Sequence, residues 1–234
     1  MKAVTRLSVE LERVIRDLPT VSKTIPAGHD FVVENDKPDQ CALICAGWAC
    51  RHKMTAAGKR QILSLHFAGE LPDLQSLLLS TMDHSLAAIT DLEIAFIPHT
   101  ALKAAIKSFP ELALPLWRMT LVDGAIYREW LLAMGRLQAE LHMGHLFCEL
   151  QVRLEAVGML KSDGGYDFPI TQADLADALG MSSVHVNRSV QALRQQGLIS
   201  WSNGHMVIND FDELTERSEF DPTYLHQTAR LGAF

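Results

Sequence analysis

The sequence predicts an α+β chain in three parts: a β roll with flanking helices over residues 1–110, one long helix over 111–142, and a helix-turn-helix with a β hairpin within 143–234. Three observations carry that reading. Glycines near positions 28, 47, 58 and 69 punctuate short apolar stretches at the spacing of tight turns. The run from Leu116 to Leu160 lacks proline and has helix-forming composition throughout. The segment ITQADLADALGMSSVHVNRSVQALRQQGLISWSNGHMVI has the residue spacing of two closely crossed helices followed by a hairpin.

Composition sets the bounds. A chain of 234 residues, 48% of them hydrophobic, can bury two modest cores. No apolar run is long enough to cross a bilayer, and the start MKAVTRLSVELERV carries charges where a signal peptide would be apolar, so no membrane association and a cytoplasmic location are expected. Cys41, Cys45, Cys50 and Cys148 are too few for a disulfide scaffold, which leaves structural and redox roles open. The net charge of -7 argues against nonspecific coating of nucleic acid, so any contact with DNA must come from a local patch.

In the first part, PAGHDFVV, QCALICAGWACRH, AAGKRQILSLHFAGEL and HSLAAITDLEIAFIP read as strands separated by turns. Cys41 and Cys45 fall on one face of a strand if strict alternation holds. In the second part, Met119, Ile126 and Ala133 recur every seven residues, as do Trp130 and Leu137, with Asp123 as a polar exception. That pattern is an a/d seam and predicts a homodimer through the long helix. Packing of the seam on the chain's own β domain is the alternative. Met143-Gly144 suggests a bend, after which HLFCELQVRLEAVGML reads as a separate amphipathic helix.

The third part has the strongest signal. Thr171 can cap a helix with Asp174 three residues on, Ala176 is small enough for a close helix crossing, Gly180 can take the positive φ of the turn, and Val186 supplies an apolar anchor. Gly197 stops the second helix, and Ser202-Asn203-Gly204 supplies a hairpin turn between LISW and HMVI, making a wing. Val186, Val190 and Leu193 share the core face. Ser182 and Ser183 at the helix start, with His185, Asn187, Arg188 and Gln191, are therefore the candidate DNA-binding residues, Arg188 suited to guanine and Asn187 to adenine. No Asp or Glu occurs between Asp177 and Asp210, which leaves Arg188, Arg194, His185 and His205 on an acid-free stretch approachable by a polyanion.

The order of β roll, seam helix and winged helix resembles the Crp/Fnr family of bacterial transcription regulators over nearly the whole chain, most specifically in DLADALGMSSVHVNRSVQALRQQGLI and FAGELPDLQSLL. The resemblance implies a cyclic-nucleotide-binding-like sensor roll, a dimerisation helix, a palindromic operator in double-stranded DNA and RNA polymerase as a partner. Members that bind cAMP hold its ribose with a glycine-glutamate pair and its phosphate with an arginine-serine pair. Gly69-Glu70 matches the first pair, but His84-Ser85 stands at the second, Asp83 adds repulsion toward an anion, and Pro72-Asp73 alters the phosphate-cradling turn. The effector pocket of Gly69, Glu70, His84 and Ser85 therefore reads as degenerate, and cAMP is not expected to be the effector. Ser183 and Val184 also stand where many members carry an arginine and a glutamate, while Arg188 matches a family arginine.

No cysteine precedes Cys41, where oxygen-sensing members carry cluster ligands, and no cofactor, metal site or haem ligand is expected. His142 and His145 have a spacing compatible with a metal but read as helix-surface residues without an acidic third ligand. No phosphate loop, nucleophile elbow or paired-carboxylate motif is present, so a non-enzyme is expected. A cyclic-nucleotide-, redox- or metal-responsive regulator is the first alternative, and a metal-dependent β-barrel enzyme with a DNA-binding tail the second. The acidic segment after the wing is expected to pack back on the domain through its aromatics.

Overall fold

The computed structural model describes residues 7–227. It divides into two compact units, residues 1–123 and 124–234. The last part of the acidic C-terminal segment, 228–234, lies outside the described residues.

The first unit begins with helix α1 (Val9–Arg16), capped by the Ser8 hydroxyl, which accepts from the Leu11 amide. Strands β1 (Val21–Ile25), β2 (Asp30–Val32), β3 (Gln40–Ala46), β4 (Trp48–Met54), β5 (Arg60–Phe67), β6 (Ser85–Ala88) and β7 (Leu92–Pro98) follow, then helix α2 (His99–Ser108). They form two antiparallel sheets, β1-β7-β3 and β2-β6-β4-β5. Gly28, Gly47, Gly58 and Gly69 all have positive φ, as the turn reading requires. Ala42, Ile44, Ala49, Ala88, Leu92, Ile94 and Phe96 form one buried cluster drawn from both sheets. A second cluster, including Leu11, Ile97, Leu102, Leu112 and Leu116, seats the helices on the roll.

The expectation that Cys41 and Cys45 share a strand face is corrected. The pairing of β3 with β7 slips between Ile44 and Ala46, so Cys45 sits in a bulge and is exposed, while Cys41 is buried. A bulge shifts the alternation by one residue and re-aims the side chains around it. Burial pushes the Cys41 thiol up to about 12 and the Cys148 thiol to about 11, far from the thiolate form that reacts or binds metal.

Helix α3 runs Ala113–Arg136 and helix α4 runs Ala139–Glu155, so the long helix is shorter than the expected 111–142. The break falls at Leu137-Gln138 rather than at Met143-Gly144. Gly144 lies inside α4, and a Cβ there would come within 2.8 Å of Leu214 Cδ1, so it marks a close crossing, not a bend. Nor is α4 amphipathic: from His142 to Leu154 nearly every side chain is buried. His142 and His145 are therefore interior residues rather than surface ones.

The proposed seam is corrected as well. Ile126, Trp130 and Ala133 are buried within the single chain, Met119 packs on the helix-seating cluster, and Leu137 lies past the end of α3. Trp130 Nε1 donates to Glu149 Oε2 at 3.0 Å. The large apolar side chains that α3 leaves exposed are Leu114, Trp117, Leu121, Leu131, Leu132 and Met134, and all but Met134 lie away from the face of Ile126, Trp130 and Ala133.

The second unit continues with strand β8 (Tyr166–Asp167), helix α5 (Gln172–Leu179), helix α6 (Ser183–Gln195), strands β9 (Ile199–Ser202) and β10 (His205–Ile208), and helix α7 (Phe211–Arg217). The sheet order is β8-β10-β9. Phe147, Phe168 and Trp201 pack edge to face at its centre, with ring centroids 5.2 Å apart for Phe168 and Trp201 and 5.5 Å for Phe147 and Phe168. The segment after the wing packs back as expected: Phe220 and Leu225 are buried, and Tyr224 donates to Glu149 Oε2 at 2.8 Å. Glu149, fully buried, also accepts from Arg153 at 2.9 Å, so its charge is matched where α4 meets the C-terminal segment.

Among the described residues no helix is long and apolar enough to cross a membrane.

Candidate nucleic-acid interface and effector site

The interface is built by local rules. Thr171 caps α5 in a capping box: its hydroxyl accepts from the Asp174 amide at 3.1 Å, and Asp174 accepts from the Thr171 amide at 3.2 Å. Gly180 closes the helix with φ 65°, which permits the sharp turn into α6. Ser182 then caps α6 by accepting from the His185 amide at 3.3 Å. Val186, Val190 and Leu193 are buried, and with them Ser189. The wing turn has positive φ at both Asn203 and Gly204, 51° and 71°, the type I′ geometry that matches strand twist.

Packing of α6 on that core decides what its other face presents. Ser182, Ser183, His185, Asn187, Arg188 and Gln191 are all exposed. Asn187 Nδ2 donates to Gln172 Oε1 at 3.3 Å across the turn, which fixes the amide's orientation and leaves its second N–H and its oxygen for a base edge. Arg188 forms no ion pair among the described residues.

Two members of the expected basic surface are otherwise engaged. Arg194 donates to the backbone oxygen of Trp201, tying α6 to the wing. His205 pairs with Asp163 at 2.8 Å, and this bond holds the Asp163 carboxyl below its usual range. The stretch from 178 to 209 is free of acids in sequence, but the fold brings Asp163 against it. Of these four side chains, His185 and Arg188 keep their outward position.

The expected effector residues have the opposite character. Glu70 Oε2 accepts from His66 Nδ1 at 2.7 Å, His66 Nε2 accepts from the Ser64 hydroxyl at 2.7 Å, and Ser64 accepts from Arg51 Nη1 at 3.3 Å. Burial holds His66 below its ordinary value, so this neutral tautomer suits the chain of bonds. The buried Arg51, 3% exposed, also pairs with Asp123 of α3 at 2.9 Å and donates to the Pro72 oxygen. His84 is held between Asp83 at 2.8 Å and Gln75 at 3.2 Å, and burial lowers it to about 4. Ser85 accepts from the Glu34 amide at 3.0 Å.

Asp73 points inward rather than toward a ligand. Its carboxyl takes the Ala42 amide at 2.8 and 3.1 Å, and burial raises it to about 7. Sequence reasoning missed Arg51 and Asp73 as organisers of this region, because their partners lie far along the chain. Among the described residues no three His, Cys, Asp or Glu side chains are grouped to hold a metal.

Residues 22–109 match the family model of the cyclic nucleotide-binding domain, and residues 142–217 match that of the Crp-like helix-turn-helix domain. A probable transcriptional activator of Rhizobium leguminosarum is 29% identical over 83% of this chain and 80% of its own length. The transcriptional activator protein FnrL of Cereibacter sphaeroides is 28% identical over 85% of this chain and 81% of its own. The solved structure of FixK2 from Bradyrhizobium japonicum superposes with a TM-score of 0.77 at 21% identity, over 85% of this chain and 97% of that one. With a cyclic-nucleotide-binding-like roll, a long helix and a Crp-like helix-turn-helix in this order, the chain belongs to the Crp/Fnr family of DNA-binding transcription regulators.

Proposed function

We propose that the protein acts in the cytoplasm as a homodimer on a palindromic operator, inserting α6 into the major groove of each half-site, contacting RNA polymerase, and responding to something other than cAMP. One observation carries this reading: the polar groups of α6 face outward, while those at the degenerate effector pocket are bonded within the fold. Arg188 offers two parallel donors to guanine O6 and N7, and Asn187 a donor and an acceptor to adenine. Ser182, Ser183, His185 and Gln191 supply contacts to phosphates and neighbouring bases.

The dimer contact of this reading is the exposed face of α3. Leu114, Trp117, Leu121 and Leu131 are spaced by three, four and ten residues, so they fall on one seam of a heptad pattern. A row of large apolar side chains left in water on one helix is the mark of an association surface.

Selection of bound duplexes from a randomised pool, at a stated salt concentration, tests the proposal. An inverted repeat is expected, and Leu121→Glu should lower both dimer content and affinity. No enrichment, or a single asymmetric site bound equally by monomer and variant, would contradict it.

A further inference from the structure

Val184 is the large apolar side chain that α6 leaves in solvent, 76% exposed at the second residue of the helix. Its neighbours on that face are Ser183, His185, Asn187 and Arg188, all exposed and polar. A β-branched residue at this place gains nothing from burial and favours the helix less than alanine or glutamate does. It does lie where the first turn of a recognition helix meets base edges.

Among the groups that base pairs present in the major groove, one is apolar: the C5 methyl of thymine. A carboxylate at this position would accept from cytosine N4. Valine cannot, and opposite cytosine it would leave that amino group desolvated without an acceptor. Val184 also precedes Arg188 by four residues, so the two share one stripe of the helix with Cβ atoms about 6 Å apart. Base pairs stack at about 3.4 Å, so this stripe spans about two steps of the duplex.

We infer that Val184 is a specificity-determining residue that packs on the 5-methyl group of a thymine in each half-site, within two base pairs of the guanine read by Arg188. The inference deepens the proposed function and rests on its placement of α6 in the groove. It assigns a thymine to a position that a glutamate-bearing helix would read as cytosine.

The test uses the full-length protein and its selected site. Each thymine is replaced in turn by deoxyuridine, which lacks the methyl group and keeps every hydrogen-bonding atom, and affinity is measured for the wild type, Val184→Ala and Val184→Glu. The expected result is one thymine per half-site, within two base pairs of the position where Arg188→Ala loses discrimination, at which deoxyuridine weakens wild-type binding about three- to tenfold, as loss of one buried methyl contact would. Val184→Ala should be indifferent to the same replacement, and Val184→Glu should prefer cytosine there. Because the side chain is exposed, unchanged thermal unfolding of both variants is expected. Sequence-selective binding that is blind to the methyl group everywhere would overturn this inference alone; the absence of any selective binding by the wild type would overturn it together with the reading beneath it.

Discussion

Glu70 of the β roll is bonded to His66, His84 to Asp83 and Gln75, Ser85 to the Glu34 amide, and Arg51 to Ser64, Asp123 and the Pro72 oxygen. On α6, Ser183, His185, Arg188 and Gln191 stand in solvent, and Asn187 spends one donor on Gln172. Both regions are rich in polar side chains, so composition does not separate them. What separates them is where the hydrogen bonds go. A polar group already satisfied inside the fold gains little by exchanging that partner for a ligand, whereas one facing water can be turned toward DNA without unfavourable rearrangement. In the roll these bonds close within the fold, and on the helix the polar groups face water.

Removal of a side chain from each region should give opposite signatures. Arg51→Ala should destabilise the fold by about 3 kcal/mol in denaturant unfolding, because it strands a carboxylate and a backbone oxygen in or near the interior. Asp123 is partly exposed and can recover some hydration, which places the effect at the low end of the range for buried pairs. Arg188→Ala should leave stability within about 0.5 kcal/mol and weaken binding to the selected operator by about 1–3 kcal/mol, with discrimination relaxed at one base pair per half-site. If Arg188→Ala lowered stability while Arg51→Ala left it unchanged, the contrast between the regions would fail.

The smallest expected effect is a pH dependence in the second unit. Burial, helped by the charge of His145, lowers His142 to about 4, against about 6.5 in an unfolded chain. The unfolded state therefore binds the proton first as pH falls, and the stability contributed by neutral His142 is lost between about pH 6.5 and 4. The loss should be about 1 kcal/mol from pH 7 to 5.5, and His142→Leu should remove that part of the slope. His84 behaves alike in the roll, but Asp73 there works the other way. Its carboxyl is raised to about 7, so the folded state holds the proton more tightly and stability falls as pH rises from the usual carboxylate range toward 7. A shallower acid slope is expected of the roll than of its histidines alone.

Legibility in the sequence followed the range of the interactions. The capping box at Thr171, the turns at Gly180 and Asn203-Gly204, and the core face of α6 depend on neighbours within a few residues, and all were readable. Which face of α3 is left exposed was not. Apolar residues occupy two sides of that helix, and periodicity alone does not say which side Glu149 and the interior of the chain already claim. Gly144 suggested a bend because its crossing with α7 involves residues about seventy positions away. The bulge at Cys45 reversed the alternation of a strand, and β8, two residues long, is too short to leave a pattern. The pairing of His205 with Asp163 and of Arg194 with the wing similarly needed the fold. The exposure of Ser182, Ser183, His185, Asn187, Arg188 and Gln191 needed only the helix itself.

The most direct test of the contrast is a titration of the full-length protein on its selected inverted repeat at fixed salt, with and without saturating cAMP. Equal affinity in both arms is predicted, since the pocket residues already have partners and no permanent cation stands at His84 to hold a phosphate. Binding that appears or tightens tenfold or more with cAMP would contradict the account, and would mean that the His66–Glu70 and Asp83–His84 bonds open to admit the nucleotide.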